Sequence, residues 1–331
     1  MMVRKVARLL YDHPLFNSTK MIFIVFSLLC SLLGTSLRVL PDLENSSPRQ
    51  HSLNLLHQHQ PFVDDADCQP LNMALSDLRG GGCSILKMLR TVMRSGGSGG
   101  AASSAAAAHH HPSSSDSALQ ALVVPTADAH GSEYIAPCDA RREYLTKFTG
   151  SAGTAVVTLK EAALWTDGRY FLQAVAEMDP ASWVLMKDRL PGTATIGEWL
   201  NEVLAAEGGG ARVGADPYTM SYEGWLRLER ELAEGGNLLV ATPANLVDAV
   251  WGSGRPARPS EPVLPLDIAF TGRRWQEKVE EVRGEMRVKG ASLLVLTALD
   301  DVAWLLNLRG ADIEYNPVFF AYAIVTLEKT V

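Results

Sequence analysis

Between Leu119 and the C-terminus, short apolar runs rich in β-branched residues alternate with stretches of helical spacing. That alternation restricts the fold more than any other feature of the chain. Leu122 to Pro125 reads as a buried strand. Thr154 to Leu159 and Ala162 to Trp165 read as a hairpin about Lys160-Glu161, and Asp167-Gly168 is a tight-turn pair. A helix is expected next, with Tyr170, Phe171, Ala174 and Val175 on its inner face. Trp183 to Met186 returns as a strand. Ile196, Trp199, Leu200, Val203 and Leu204 then mark a helix that Gly208-Gly209-Gly210 ends. Val213 to Ala215, Tyr222 to Leu232 and Leu238 to Val240 follow as strand, helix and strand. Strands that alternate with helices build an α/β layer structure, here a mixed sheet flanked by helices.

Pro256, Pro259, Pro262 and Pro265 punctuate an expected domain boundary. Beyond it Trp275, Val279, Val282 and Met286 form one apolar helical stripe, and Leu293 to Leu296 is a strand. Asp300 to Asn307 is a helix closed by Gly310, and Val318 to Thr326 is a final strand. This order echoes the first domain. Ala121 to Asp128 leads through a helix to Phe148-Thr149-Gly150 and a strand. Leu293 to Asp300 leads through a helix to Leu308-Arg309-Gly310 and a strand. The first copy continues for about ninety residues and the second stops, so the second reads as an incomplete copy with Val318, Phe319 and Ile324 exposed. The expected partition is 1–83, an N-terminal extension; 84–118, a short helix plus linker; 119–255, the complete domain; and 256–331, the incomplete one.

Residues 1–83 lack amphipathic periodicity. Within them Met21 to Leu33 is almost wholly apolar, preceded by Arg4, Lys5, Arg8 and Lys20 and followed by Gly34-Thr35-Ser36, the order of a signal peptide or short anchor. It is shorter than the ~20 residues a bilayer span takes. Ile85, Met88, Leu89, Val92 and Met93 predict a short amphipathic helix. Ser95 to Ser117 is a Gly/Ala/Ser/His tract, read as a flexible linker, and His109-His110-His111 belong to that low-complexity tract rather than to a metal site. A net charge of −7 argues against nucleic acid as a partner, because phosphate binding takes a basic face. Cys30, Cys68, Cys83 and Cys138 share no metal-ligand spacing and form no expected disulfide framework.

Few residues combine into a chemical constellation. Asp300-Asp301 is an acidic pair whose side chains diverge on a helix, so a helix N-cap is its expected role. Asp312 and Glu314 would share a face if extended, with no His nearby to complete a metal set. Gly150-Ser151-Ala152-Gly153 lacks the elbow of a serine nucleophile and reads as a tight turn before a strand. Trp165 reads as core. Arg169, between the Asp167-Gly168 turn and a helix start, is placed to project from a loop, where it either meets a ligand or pairs with Asp167. No catalytic residue and no metal ligand is assigned.

Several ordered blocks resemble the N-terminal region of eukaryotic Xaa-Pro aminopeptidase (aminopeptidase P). They are Glu133 to Ala136, Arg141-Arg142-Glu143, Phe148 to Thr154, Trp165-Thr166-Asp167-Gly168-Arg169-Tyr170-Phe171-Leu172, Asn245 to Trp251, Ala298 to Gly310 and Asn316 to Phe320. The resemblance covers about residues 84 to 327. It implies two creatinase-like α/β domains ahead of a pita-bread catalytic domain. There two divalent metal ions, usually manganese, would sit on two Asp, one His and two Glu and hydrolyse the bond before a penultimate proline. None of those ligands is placed within this chain, so it is expected to hold no cofactor and to be inactive by itself. A dimerising or substrate-binding module without chemistry is the alternative. The resemblance further implies a peptide with penultimate proline as partner, a homodimer, and substrate contact through Arg169, whose fork of donors suits a carbonyl or carboxylate. His130 and Glu133 are expected near the same cleft. A cytoplasmic location is implied, with secretion or anchoring through residues 21–33 as the alternative.

Overall fold

The computed structural model describes residues 84–96 and 118–331. The expectations for residues 21–33, for three of the cysteines and for the Ser95 to Ser117 tract beyond residue 96 lie outside the described residues. Two compact units divide at Ser260 and Glu261.

The first unit runs α1 (Ile85–Arg94), β1 (Ala121–Pro125), α2 (Arg141–Thr146), β2 (Thr154–Thr158), β3 (Ala162–Thr166), α3 (Phe171–Glu177), β4 (Val184–Lys187), α4 (Ile196–Val203), β5 (Arg212–Ala215), α5 (Tyr222–Glu234), β6 (Leu238–Ala241) and α6 (Leu246–Trp251). Its six strands form one mixed sheet in the order β4-β3-β2-β1-β5-β6. β2 is antiparallel to both neighbours, while β1–β5, β5–β6 and β3–β4 are parallel. All strands except β2 therefore deliver their carboxyl ends to one edge. Alternate residues serve opposite faces. Leu122, Val124, Val157 and Leu164 pack with α1 and α6, whereas Val123, Val156, Trp165 and Val213 pack with α4 and α5. Cover on both faces is why β2 and β3 read as nearly unbroken apolar runs.

The amphipathic helix expected near Ile85 belongs to this core. Leu89 and Met93 of α1 are fully buried, Ser84 caps the helix by accepting from Lys87 N, and Arg90 donates to the carbonyls of Thr158 and Lys160 in the β2–β3 turn. At the start of α4, Thr195 and Glu198 form a capping box. One expectation is corrected on α3. Ala174 is its buried residue, Tyr170 and Phe171 are half-buried, and Val175 and Leu172 face solvent at 66% and 89% exposure. The helix has only seven residues, so its inner stripe is one residue wide.

The second unit contains β7 (Leu264–Pro265), α7 (Ile268–Thr271), α8 (Trp275–Lys289), β8 (Leu293–Leu296), α9 (Leu299–Leu306), β9 (Leu308–Arg309) and β10 (Ala323–Thr326). β8 and β10 pair antiparallel, as β1 and β2 do, which supports the repeat at the level of strand pairing. The short β7–β9 pair had no signal in the sequence. Three further readings are corrected. Ala298 is the N-cap of α9 without a side-chain bond, and Asp300 and Asp301 lie inside its first turn, where the positive helix end suits their charge. The C-cap is Asn307 in the left-handed conformation; Gly310 instead lies against Phe319, where a Cβ would stand 2.6 Å from the Phe319 Cβ. Phe319 is buried, and Val318 and Ile324 are half-buried, because α9 and the end of the chain pack over them. The α8 stripe is also narrower than expected: Val279 and Met286 are buried but Trp275 is 41% exposed. Asp312 is buried and Glu314 exposed, so the two share no face.

Candidate functional site

The carboxyl edge of the six-stranded sheet gathers the loops that the sequence singled out. Phe148 to Gly153 leads into β2. Arg142, buried beside it, donates to Thr126 Oγ1 at 2.7 Å, to the Phe148 carbonyl at 2.8 Å and to the Gly150 carbonyl. Burial pulls this guanidinium down to about 10. Gly150 is needed there because a Cβ would run into the Phe148 ring and approach the Tyr170 ring to 2.9 Å. The turn is thus built tightly against the next loop, and Ser151 Oγ lies 2.6 Å from the Tyr170 hydroxyl. The Thr149 N–H and hydroxyl donate to Glu177, whose carboxyl is held low chiefly by that N–H.

Arg169 follows β3 in this setting. Its Nε and Nη2 donate to Asp167 Oδ1 and Oδ2 at 2.9 and 2.8 Å, and its guanidinium carbon lies 4.9 Å from the centre of the Tyr170 ring. The bidentate pair holds the Asp167 carboxyl down to about 2, and Arg169 correspondingly above its ordinary value. Pairing with Asp167 and projection into solvent therefore coexist: the Arg169 side chain is 65% exposed, oriented but accessible. His130 is buried and Glu133 exposed, and neither lines the cavity at this edge. Trp165 is core as expected, donating from Nε1 to the Ala194 carbonyl at 2.9 Å.

Below the Asp167 turn, on the α4–α5 side, lies a cavity of about 530 Å³. Val123, Trp165, Ile196 and Leu228 supply apolar wall, and Asp188, Arg189, Arg227 and Glu231 supply charge. None of these charged positions carries a sequence signal, since Asp188-Arg189 lies in a loop and Arg227 on an ordinary helix.

A second charged cluster ties α2 and α6 to the segment after them. Asp139, almost fully buried, meets Arg141 at 3.0 Å and Arg255 and Arg258 at 3.3 Å; Arg141 and Arg255 also reach Asp248. Tyr144 stacks on Trp251 at 4.5 Å. The Arg141-Arg142-Glu143 and Asn245 to Trp251 blocks are thereby accounted for by packing. Burial raises the neighbouring Cys138 thiol, a free and buried cysteine, and the Asp139 charge adds to the effect. Among the described residues no three His, Cys, Asp or Glu side chains converge as a metal ion requires, so these residues do not by themselves fit a metal pair. Among them, too, no helix is long and apolar enough to cross a membrane.

Residues 114–249 and residues 254–331 each match a creatinase/prolidase N-terminal domain. The chain is 50% identical over 204 residues to a probable Xaa-Pro aminopeptidase P of Penicillium rubens, covering 62% of this chain and 33% of that protein. It is 49% identical over 209 residues to a probable Xaa-Pro aminopeptidase P of Coprinopsis cinerea, covering 63% and 33%. Among solved structures it is similar to X-prolyl aminopeptidase from Caenorhabditis elegans, a cytosolic enzyme with a di-nuclear active site. There the TM-score is 0.62 and the identity 41%, over 65% of this chain and 34% of that one. The chain thus spans about a third of the length of the relatives it matches.

Proposed function

The chain belongs to the creatinase/prolidase N-terminal domain family, and we propose that it forms the N-terminal part of a Xaa-Pro aminopeptidase whose substrate side includes Arg169. The observation that carries this reading is the geometry of the intact Trp165 to Leu172 block. Asp167 and Tyr170 hold the Arg169 guanidinium in one orientation while two-thirds of it remains open to solvent. A donor fork fixed in advance loses little freedom when it meets a peptide carbonyl or carboxylate. The described residues would position peptide substrate, and the two metal ions of the family reaction, usually manganese, would supply the attacking hydroxide from outside them.

Kinetics of the enzyme at the relatives' full length test this. Arg169→Ala should lower kcat/KM by about tenfold or more, and Arg169→Lys should restore part of it, because one charged hydrogen bond is worth about 1.5–3 kcal/mol. Unchanged kinetics in the Ala variant would make Arg169 a surface residue held by Asp167 alone. Residues 1–331 alone, given manganese, should release no N-terminal residue from a Xaa-Pro dipeptide; metal-dependent release that survives further purification would refute this. A second reading, a dimerising module, draws support from Leu172 and Val175 exposed side by side on α3. Sedimentation would show a dimer that Val175→Glu dissociates. The cytosolic relative supports a cytoplasmic location, which N-terminal sequencing of the cellular protein would test at residues 21–33.

A further inference from the structure

The loop from Phe148 to Gly153 is held by its neighbours through four of its carbonyls. Arg142 donates to Phe148 O at 2.8 Å and to Gly150 O, and Thr166 Oγ1 donates to Ala152 O at 2.6 Å. Thr126 donates from N and Oγ1 to Gly153 O at 3.0 and 2.8 Å. These bonds make the loop a fixed platform, and none of them involves the Ser151 side chain. Ser151 is exposed, and its hydroxyl instead meets the Tyr170 hydroxyl at 2.6 Å. A tight turn into β2 accounts for the glycines and for Arg142, but it does not call for a hydroxyl at this position.

Tyr170 is constrained from several sides. Its N–H donates to Asp167 O at 3.0 Å. The buried Phe148 ring meets it edge-on, with ring centres 5.8 Å apart and planes at 71°. Ser151 holds its hydroxyl end, and the Arg169 guanidinium lies over the ring at 4.9 Å. An aromatic face attracts a cation through its quadrupole. The ring and the Asp167 carboxylate restrain Arg169 in different ways. The carboxylate grips one edge of the guanidinium through two bonds, which leaves it free to hinge about the line of its two oxygens. The ring stops that hinge, provided that the ring itself does not swing.

We propose that Ser151 and Tyr170 are a positioning pair. The Ser151 hydroxyl ties the Tyr170 ring to the fixed loop, and the ring sets the direction in which the Arg169 guanidinium points. Neither residue touches substrate; both act through Arg169. The inference rests on the reading of Arg169 as a substrate contact, and it gives the Phe148 to Gly153 loop a role in that contact beyond turning the chain.

Two measurements test it. In NMR spectra of the 331-residue chain, the Arg169 Hε should be shifted upfield by the ring current of Tyr170. Tyr170→Leu should abolish that shift. Ser151→Ala and Tyr170→Phe should each reduce it, and Ser151→Thr, which keeps the hydroxyl, should restore it. In the enzyme at the relatives' full length, Ser151→Ala should lower kcat/KM by about two- to fivefold, the factor an exposed cation–π contact is worth, with an unchanged melting temperature. Combining Ser151→Ala with Tyr170→Phe should cost no more than either alone, because both remove the same bond, and Ser151→Ala should have no effect once Arg169 is Ala. Unchanged kinetics for Arg169→Ala would overturn the substrate reading. The positioning pair is overturned separately by an Arg169 Hε shift that Ser151→Ala leaves intact, by additive losses in the double variant, or by a Ser151→Ala loss that persists in the Arg169→Ala background.

Discussion

β1 to β3 of the first unit and β8 with β10 of the second carry nearly the same kind of sequence, yet they are buried differently. Every residue of β3 is buried, as are four of the five in β1 and in β2. All four residues of Leu293–Leu296 are only half-buried, β10 buries only alternate residues, Ala323 and Val325, and β8 pairs with one strand alone. The apolar character of a strand therefore records the burial it is suited to. The burial it obtains depends on how many layers the rest of the chain brings against it. A six-stranded sheet has helices on both faces and internal strands paired on both sides, whereas a two-stranded sheet leaves one edge of each strand open.

The largest expected consequence is regional. Limited proteolysis should cleave between residues 262 and 331 well before it cuts between Leu119 and Gly254, because exposed backbone and few buried contacts lower the cost of local opening. Equal resistance of the two regions would break the contrast and show the second unit to be as self-sufficient as the first.

The buried ion cluster of the first unit offers a second test. Asp139→Ala removes one partner of Arg141 and Arg255, which keep Asp248, and should lower unfolding stability by about 1.5–3 kcal/mol in a urea titration. Arg258→Ala, at a half-exposed side chain, should cost under about 1 kcal/mol. Similar losses for both variants would mean that the cluster acts as a solvated surface network.

The strand contrast itself is sharpened by a matched pair. Leu164→Ala on β3 should cost about 2–5 kcal/mol, through lost burial and the cavity left behind. Leu294→Ala on β8 should cost only about 1 kcal/mol, since its side chain is already partly in water. Thermal and urea unfolding of the two variants would measure the difference; equal costs would refute the link between layer number and strand burial.

The smallest effect concerns Asp167. Its carboxyl is depressed from 3.8 to about 2 by Arg169, so the interaction is intact above the unfolded value and is lost only as pH falls from near 4 through about 2. The pair is solvent-exposed, so stability should change little across that window, but the NMR titration midpoint of the Asp167 side chain should lie near 2. Arg169→Ala should return it toward 3.8. A midpoint near the ordinary value in the unmodified chain would show that the guanidinium is not held in advance, which would weaken the substrate reading as well.

Much of this molecule was legible in the linear sequence because the signals are local. Ile85 to Met93 and Tyr222 to Leu232 have helical apolar spacing, Lys160-Glu161 sits between two β-branched runs, and Gly208 closes the 3₁₀ turn Ala205–Glu207 that follows α4, which itself ends at Val203. In each case the residues that interact lie within a few positions of one another. The Trp165 to Leu172 block likewise puts Arg169 in a loop beside Asp167 by local sequence alone. What the tertiary structure alone decided are relations across long separations. Ala174 is buried while Val175 faces water, because packing rather than spacing sets how wide the inner stripe of a seven-residue helix is. Asn307 rather than Gly310 ends its helix, and Gly310 is required instead by the approach of Phe319. The cavity unites Asp188 after β4, Arg227 on α5 and Trp165 on β3. No periodicity encodes that meeting, because only the order in which the strands pair brings those three segments to one edge of the sheet.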